Sequence, residues 1–185
     1  MKLLLAVMIT LALGGCLKKP FETVGNRYGF VACGNGFGSA VNVGGGRFLT
    51  AAHVINPGFG VASRYGMDSV PMVVVIDGDM ALIQTRILPQ EPVEFDSVEL
   101  GQTLYFVQVV MDSSIELYYH EAKVMRITTD GFYVDKAVFP GCSGTGVWTR
   151  EGKLVGILTR MVTMGDQSFG GFALKIPDWM KGGAR

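Results

Sequence analysis

The run PGCSGTGVW, Pro140 to Trp148, sets two nucleophile types side by side, Cys142 and Ser143, between Gly141 and Gly144. Either would need a base to act near neutral pH, and histidine is the usual one. The chain has only two, His53 and His120. His53 stands in the run GRFLTAAHVI, in which an apolar strand leads into two alanines that leave room around the imidazole. His120 lies in the alternating run ELYYHEAKV and reads as an ordinary strand residue, with a pocket-lining role as its second use. An acid to orient the histidine and balance its cationic form has two candidates in IDGDMALI, Asp77 and Asp79. Local physics does not separate them.

The glycines give the loop its chemical use. Gly141 and Gly144 permit a sharp turn, and the amide hydrogens of Gly141 and Ser143 can then aim at the oxygen of a tetrahedral intermediate. Each feature alone has a plainer meaning: a buried histidine, an aspartate closing the Asp77-Gly78 turn, a glycine-rich turn with a surface serine. Order along the chain discriminates where single residues do not. Both histidines precede Ser143, whereas α/β-hydrolases run Ser, acid, His and need glycine where Thr145 stands. A papain-like arrangement around Cys33 lacks both its motif and a helix.

The elements that must carry these residues are strands. Short apolar or alternating runs punctuated by glycine predict a mostly β domain over residues 21–178. The expected strands are Ser39 to Val43, Arg47 to Leu49, Val70 to Ile76, Ala81 to Arg86, Thr103 to Val110, Ile115 to Tyr119, Ala122 to Thr128, Phe132 to Val134, Gly146 to Thr149, Lys153 to Leu158 and Phe172 to Ile176. Such spacing suits sheets folded into barrels or a sandwich. Asp77-Gly78, Asp130-Gly131 and Glu151-Gly152 supply hairpin turns. LPQEPVEFD, Leu88 to Asp96, has linker character and divides the chain into halves too small for independent cores.

Composition narrows the function classes. Sixteen basic and 16 acidic side chains leave no imbalance that would favour nucleic acid. MKLLLAVMITLALGGC reads as a secretory signal over residues 1–15. Its mostly apolar stretch of eleven residues, Leu3 to Leu13, makes about 17 Å of helix, short of the roughly 30 Å hydrocarbon core. Leu13 to Cys16 resembles the lipobox of bacterial lipoproteins, which implies a lipid on Cys16, a tether over residues 16–22 and, with Leu17 following, an outer membrane location facing the periplasm. Cys33 and Cys142 then remain, enough for one disulfide but not for a four-cysteine metal site. Neither a metal nor an organic cofactor is expected.

The stretches GRFLTAAHVI, DMALI, GCSGTGVWTREGKLVGILT and GGFALKIP resemble, in order, the His, Asp, Ser and pocket-wall segments of trypsin-like serine peptidases, most closely the HtrA/Deg branch. The resemblance implies an all-β fold of two six-stranded barrels over residues 23–180, about 23–88 and 97–178, with the active site in the cleft between them. It implies a serine endopeptidase acting on polypeptides through His53, Asp79 and Ser143, with Gly141 and Ser143 as oxyanion donors, and so selects Asp79 over Asp77 and Ser143 over Cys142. By position it carries the substrate pocket onto Ala137, Thr159, Arg160, Met161, Gly171, Phe172 and Ala173, none acidic, which favours a small or medium apolar side chain before the scissile bond, with an acidic one, met by Arg160 and His120, as the alternative. In this fold Cys33 would run beside the nucleophile loop, which makes a Cys33 to Cys142 disulfide conceivable beside the alternative of two free thiols. Thr145 departs from the family's second glycine and motivates a rival reading, a lipoprotein that keeps the fold as a binding module without turnover.

Overall fold

The computed structural model describes residues 21–34, 36–111 and 115–181; the signal segment and Cys16 lie outside them. A short helix α1, Phe21–Arg27, leads into β1, Tyr28–Cys33, followed by β2, Gly36–Gly44, and β3, Arg47–Ala51. A 3-10 turn, Ala52–Val54, separates these from β4, Gly60–Ser63, β5, Gly66–Asp68, β6, Met72–Asp77, and β7, Met80–Gln84. The seven strands form one antiparallel sheet in the order β5-β4-β1-β2-β3-β7-β6.

The second half comprises β8, Thr103–Met111, β9, Ile115–Ile127, β10, Gly131–Val134, β11, Gly146–Trp148, β12, Leu154–Met164, and β13, Gln167–Lys175. These close into a barrel, β10-β13-β12-β11-β8-β9, and the short helix α2, Asp178–Lys181, follows. The all-β expectation of two barrel-like sheets holds, with one correction: the first half has seven strands rather than six. No ladder joins β5 to β6, and a side chain makes the closure instead. The buried Asp68 carboxylate accepts the Arg86 N–H at 2.8 Å and the guanidinium at 2.8 Å, tying the end of β5 to the segment after β7.

Three apolar clusters explain why the halves act as one unit. Val31, Phe48, Val61 and Ile83 fill the first sheet, and Leu104, Phe106, Phe132 and Leu158 fill the barrel. The third spans both, joining Phe30 and Leu49 to Tyr105, Trp148 and Leu154. The linker is pinned on both sides, since Val93 N–H donates to Val43 O at 3.2 Å and Leu154 N–H to Glu94 O at 2.9 Å.

Candidate active site

β3 delivers His53, because the chain leaves Ala51 in extended conformation and turns at once through Ala52–Val54. β7 delivers Asp79: the register pairs Ala51 with Met80, which sets the residue before Met80 beside the turn. Ala52 N–H donates to Asp79 O at 3.0 Å, and His53 N–H donates to Asp79 Oδ1 at 3.1 Å. The same carboxylate lies 2.9 Å and 3.0 Å from His53 Nδ1. A carboxylate can only accept, so Nδ1 carries the proton and Nε2 is left as the basic nitrogen. The His53 side chain is 50% exposed. Asp77 is engaged elsewhere, its Oδ2 accepting Trp179 Nε1–H at 3.1 Å.

The Ser143 loop is held peptide by peptide. Cys142 N–H donates to Phe139 O at 3.2 Å, Gly144 N–H to Leu158 O at 2.7 Å and Thr145 N–H to Cys142 O at 2.9 Å. The carbonyl of Gly141 accepts Ser39 Oγ–H at 2.7 Å, and that of Ser143 accepts Ser39 N–H at 2.8 Å. Among the described residues, the N–H groups of Gly141 and Ser143 have no acceptor. Gly141 reaches this arrangement at φ 99°, a left-handed value. Thr145 does not disturb the loop, because its hydroxyl donates to Val107 O at 3.1 Å and ties the turn to β8.

Gly38 shows how near the two halves of the site come. A Cβ there would fall 2.6 Å from Val54 Cγ1, next in sequence to His53, and 3.0 Å from Ser143 O. One missing methyl group thus separates the histidine turn from the serine loop. Among the described residues no hydrogen bond joins Ser143 Oγ to His53.

A cavity of about 170 Å³ opens beside Ser143, lined by Val138, Phe139, Pro140, Cys142, Leu158, Thr159, Arg160 and Met161. Three of the expected pocket residues, Thr159, Arg160 and Met161, are in its wall. Ala137 is not; its neighbour Val138 takes the place. Gly171, Phe172 and Ala173 stand one strand behind, paired with Met161, Arg160 and Leu158. They shape the wall from there: the Arg160 guanidinium lies over the Phe172 ring at 5.4 Å, and a Cβ on Gly171 would crowd Leu158 at 3.0 Å. A larger groove of about 670 Å³, between the linker and α2, contains none of the candidate residues.

Cys33 and Cys142 are both free thiols, so the bridge is not formed. Cys33 Sγ points to Pro57 O at 3.4 Å, while burial pushes the Cys142 thiol up to about 11. His120 lies outside the cavity wall, bonded to Gln108 Oε1 at 3.1 Å, and burial beside Lys136 lowers its basicity. Among the described residues no group of three His, Cys, Asp or Glu comes together as a metal site. The sequence reading missed Ser39. Its signal was a polar residue in GFGSAVNVG, a strand whose last seven positions are all buried.

Comparison with known proteins bears on this geometry. The family model for the trypsin-like peptidase domain matches residues 38–157. No curated protein matches the chain. Among solved structures, the MamO protease domain of Magnetospirillum magneticum is similar with TM-score 0.71 and 18% identity, covering 89% of this chain and 100% of that one. The active form of the Rv3671c protease of M. tuberculosis gives 0.70 and 16%, over 94% and 81%. A Glu endopeptidase gives 0.69 and 15%, over 85% and 91%. At these identities the likeness is one of fold.

Proposed function

We propose that this chain, which belongs to the trypsin-like peptidase domain family, is a serine endopeptidase acting through His53, Asp79 and Ser143. Ser143 Oγ adds to the scissile carbonyl carbon while its proton passes to His53 Nε2. Asp79 holds Nδ1–H and balances the imidazolium, and the N–H groups of Gly141 and Ser143 receive the oxyanion. Collapse breaks the C–N bond, and the amine leaves with the proton from His53. Water, giving a proton to the same nitrogen, adds to the acyl carbon; the ester bond breaks and Ser143 regains its hydrogen.

The observation that carries this reading is the pair of unpartnered N–H groups, Gly141 and Ser143, in a loop whose intervening and following donors are all satisfied. The mostly apolar cavity of about 170 Å³ supports a small or medium apolar side chain before the cleaved bond. Its wall has no carboxylate to meet lysine or arginine. The AHV turn, the DMALI strand, the GCSG loop and the GILT strand support the HtrA/Deg branch, MKLLLAVMITLALGGC supports a lipid on Cys16, and Leu17 after it supports an outer membrane tether facing the periplasm. Incorporation of an alkyne fatty acid in cells, lost in Cys16→Ala, tests the tether.

Intact mass after treatment with a fluorophosphonate probe tests the activity. One adduct, abolished by Ser143→Ala and by His53→Ala, is the expected result. No adduct on folded protein would favour the second reading, a binding module, for which the observation is that no hydrogen bond joins Ser143 Oγ to His53 among the described residues.

A further inference from the structure

We infer that Ser39 is a positioning residue that holds the oxyanion loop in its competent form from the opposite β-half. The inference rests on the serine-peptidase reading. Ser39 is fully buried on β2 and serves the loop twice, through Oγ to Gly141 O at 2.7 Å and through N–H to Ser143 O at 2.8 Å. Its own carbonyl accepts Thr50 Oγ1–H at 2.6 Å, from the strand that leads to His53. One residue therefore connects the histidine-bearing strand, the nucleophile and the oxyanion glycine.

The direction of the side-chain chain follows from proton counting. Gly141 O can only accept, so the single Ser39 hydroxyl proton points there. Tyr28 OH, 2.9 Å from Ser39 Oγ, must then be the donor. The order is Tyr28 O–H to Ser39 O–H to Gly141 O=C, each bond polarising the next in a site shielded from water. Burial raises the Tyr28 hydroxyl's pKa, which keeps this donor protonated.

The consequence falls on the N–H groups. The peptide between Gly141 and Cys142 is clamped at both ends, its oxygen by Ser39 and its N–H by Phe139 O. Without Ser39 Oγ, the flexible Gly141 can rotate, and its free N–H no longer has a fixed aim. A mispointed donor costs transition-state binding while leaving ground-state binding nearly unchanged. A merely structural serine would lower stability and spare kcat of the folded molecules.

The test compares the intact wild-type chain with Ser39→Ala and Ser39→Thr. The readouts are fluorophosphonate labelling rate, kcat and KM on a peptide substrate, melting temperature, and hydrogen exchange over residues 139–145. Ser39→Ala is expected to slow labelling and kcat about 10- to 100-fold, with KM within about threefold, and to speed exchange in the loop about tenfold. Ser39→Thr, which keeps the hydroxyl, is expected to recover most of the rate. Wild-type labelling per folded Ser39→Ala molecule, with unchanged exchange, overturns the inference. Should Ser39→Ala fail to fold, Tyr28→Phe removes only the first donor, and about threefold slower labelling with faster loop exchange is expected; wild-type values for both would sink the relay. A wild-type chain that takes no label defeats the peptidase reading, and loop exchange still decides whether Ser39 holds the loop.

Discussion

Asp79 grips His53 at two points: its carboxylate accepts the backbone N–H of His53 at 3.1 Å and the ring Nδ1–H at 2.9 Å. The first bond places the residue and the second orients the ring and selects its tautomer. Asp79→Asn can present an N–H to the ring, which favours the wrong tautomer. We expect a fall of about 10³- to 10⁴-fold in kcat and in labelling rate. Asp77→Asn changes a group bonded to Trp179 instead and is expected to stay within about twofold of wild type. Equal losses at the two positions would show the acid to be misassigned.

Gly144 gives a test of packing in the Ser143 loop. Its φ is 93°, and a Cβ there would run into the Ser39 carbonyl oxygen and Thr50 Oγ1. Backbone strain and overpacking then add, so Gly144→Ala is expected to cost about 2–5 kcal/mol of stability. Chemical denaturation measures it. A cost below about 1 kcal/mol would mean that the loop can retreat from β2, which the Ser39 bonds argue against.

The residues of the proposed triad were easier to pick out than the scaffold around them. His53, Asp79 and Ser143 stand in short runs whose types and order carry the signal. β1 and β4 escaped notice because YGFVAC and GVAS are buried almost throughout, which removes the alternation that marks a strand. The expected strand bounds stop at Tyr119 and resume at Ala122, yet β9 pairs with β8 without a break from Lys123 to Ile115. α1 is only seven residues long with a glycine inside, and its placement comes from Phe21 packing on Tyr105 and Tyr119 at 5.5 Å and 5.4 Å. The Ser39 to Gly141 bond joins positions 102 residues apart. No local pattern encodes such a contact; it exists only once the two halves are packed.

Asp68 predicts a pH-dependent part of the stability. Hydrogen bonding to Arg86, above all, lowers its pKa from 3.8 to about 2. A carboxylate held low stabilises the fold fully above its unfolded value, near pH 4, and that contribution disappears as pH falls toward 2. The Arg86 side chain is largely exposed, so water screens part of that contribution. The backbone N–H groups of Val70 and Arg86 add to it, so Asp68→Ala is expected to cost about 1–3 kcal/mol at pH 7. Melting temperatures of wild type and variant should converge between pH 4 and pH 2. A gap that stays constant over that range would refute the assignment.

Cys142 stands beside Ser143 but is chemically quiet. The Cys142 side chain is buried, and loss of hydration holds its thiol at about 11, so almost no thiolate exists near neutral pH. A thiol in that state is neither a good nucleophile nor an easy target. Cys33, partly exposed, is expected to react with iodoacetamide in the folded protein, and Cys142 only after denaturation. The same count should appear without reductant, since both are free thiols. In the domain beginning at Leu17, which lacks Cys16, two modifications after unfolding without reductant and one in the native state are therefore the expected masses. Rapid native modification at Cys142 would show the loop to be open at that residue, and would reopen the choice of nucleophile.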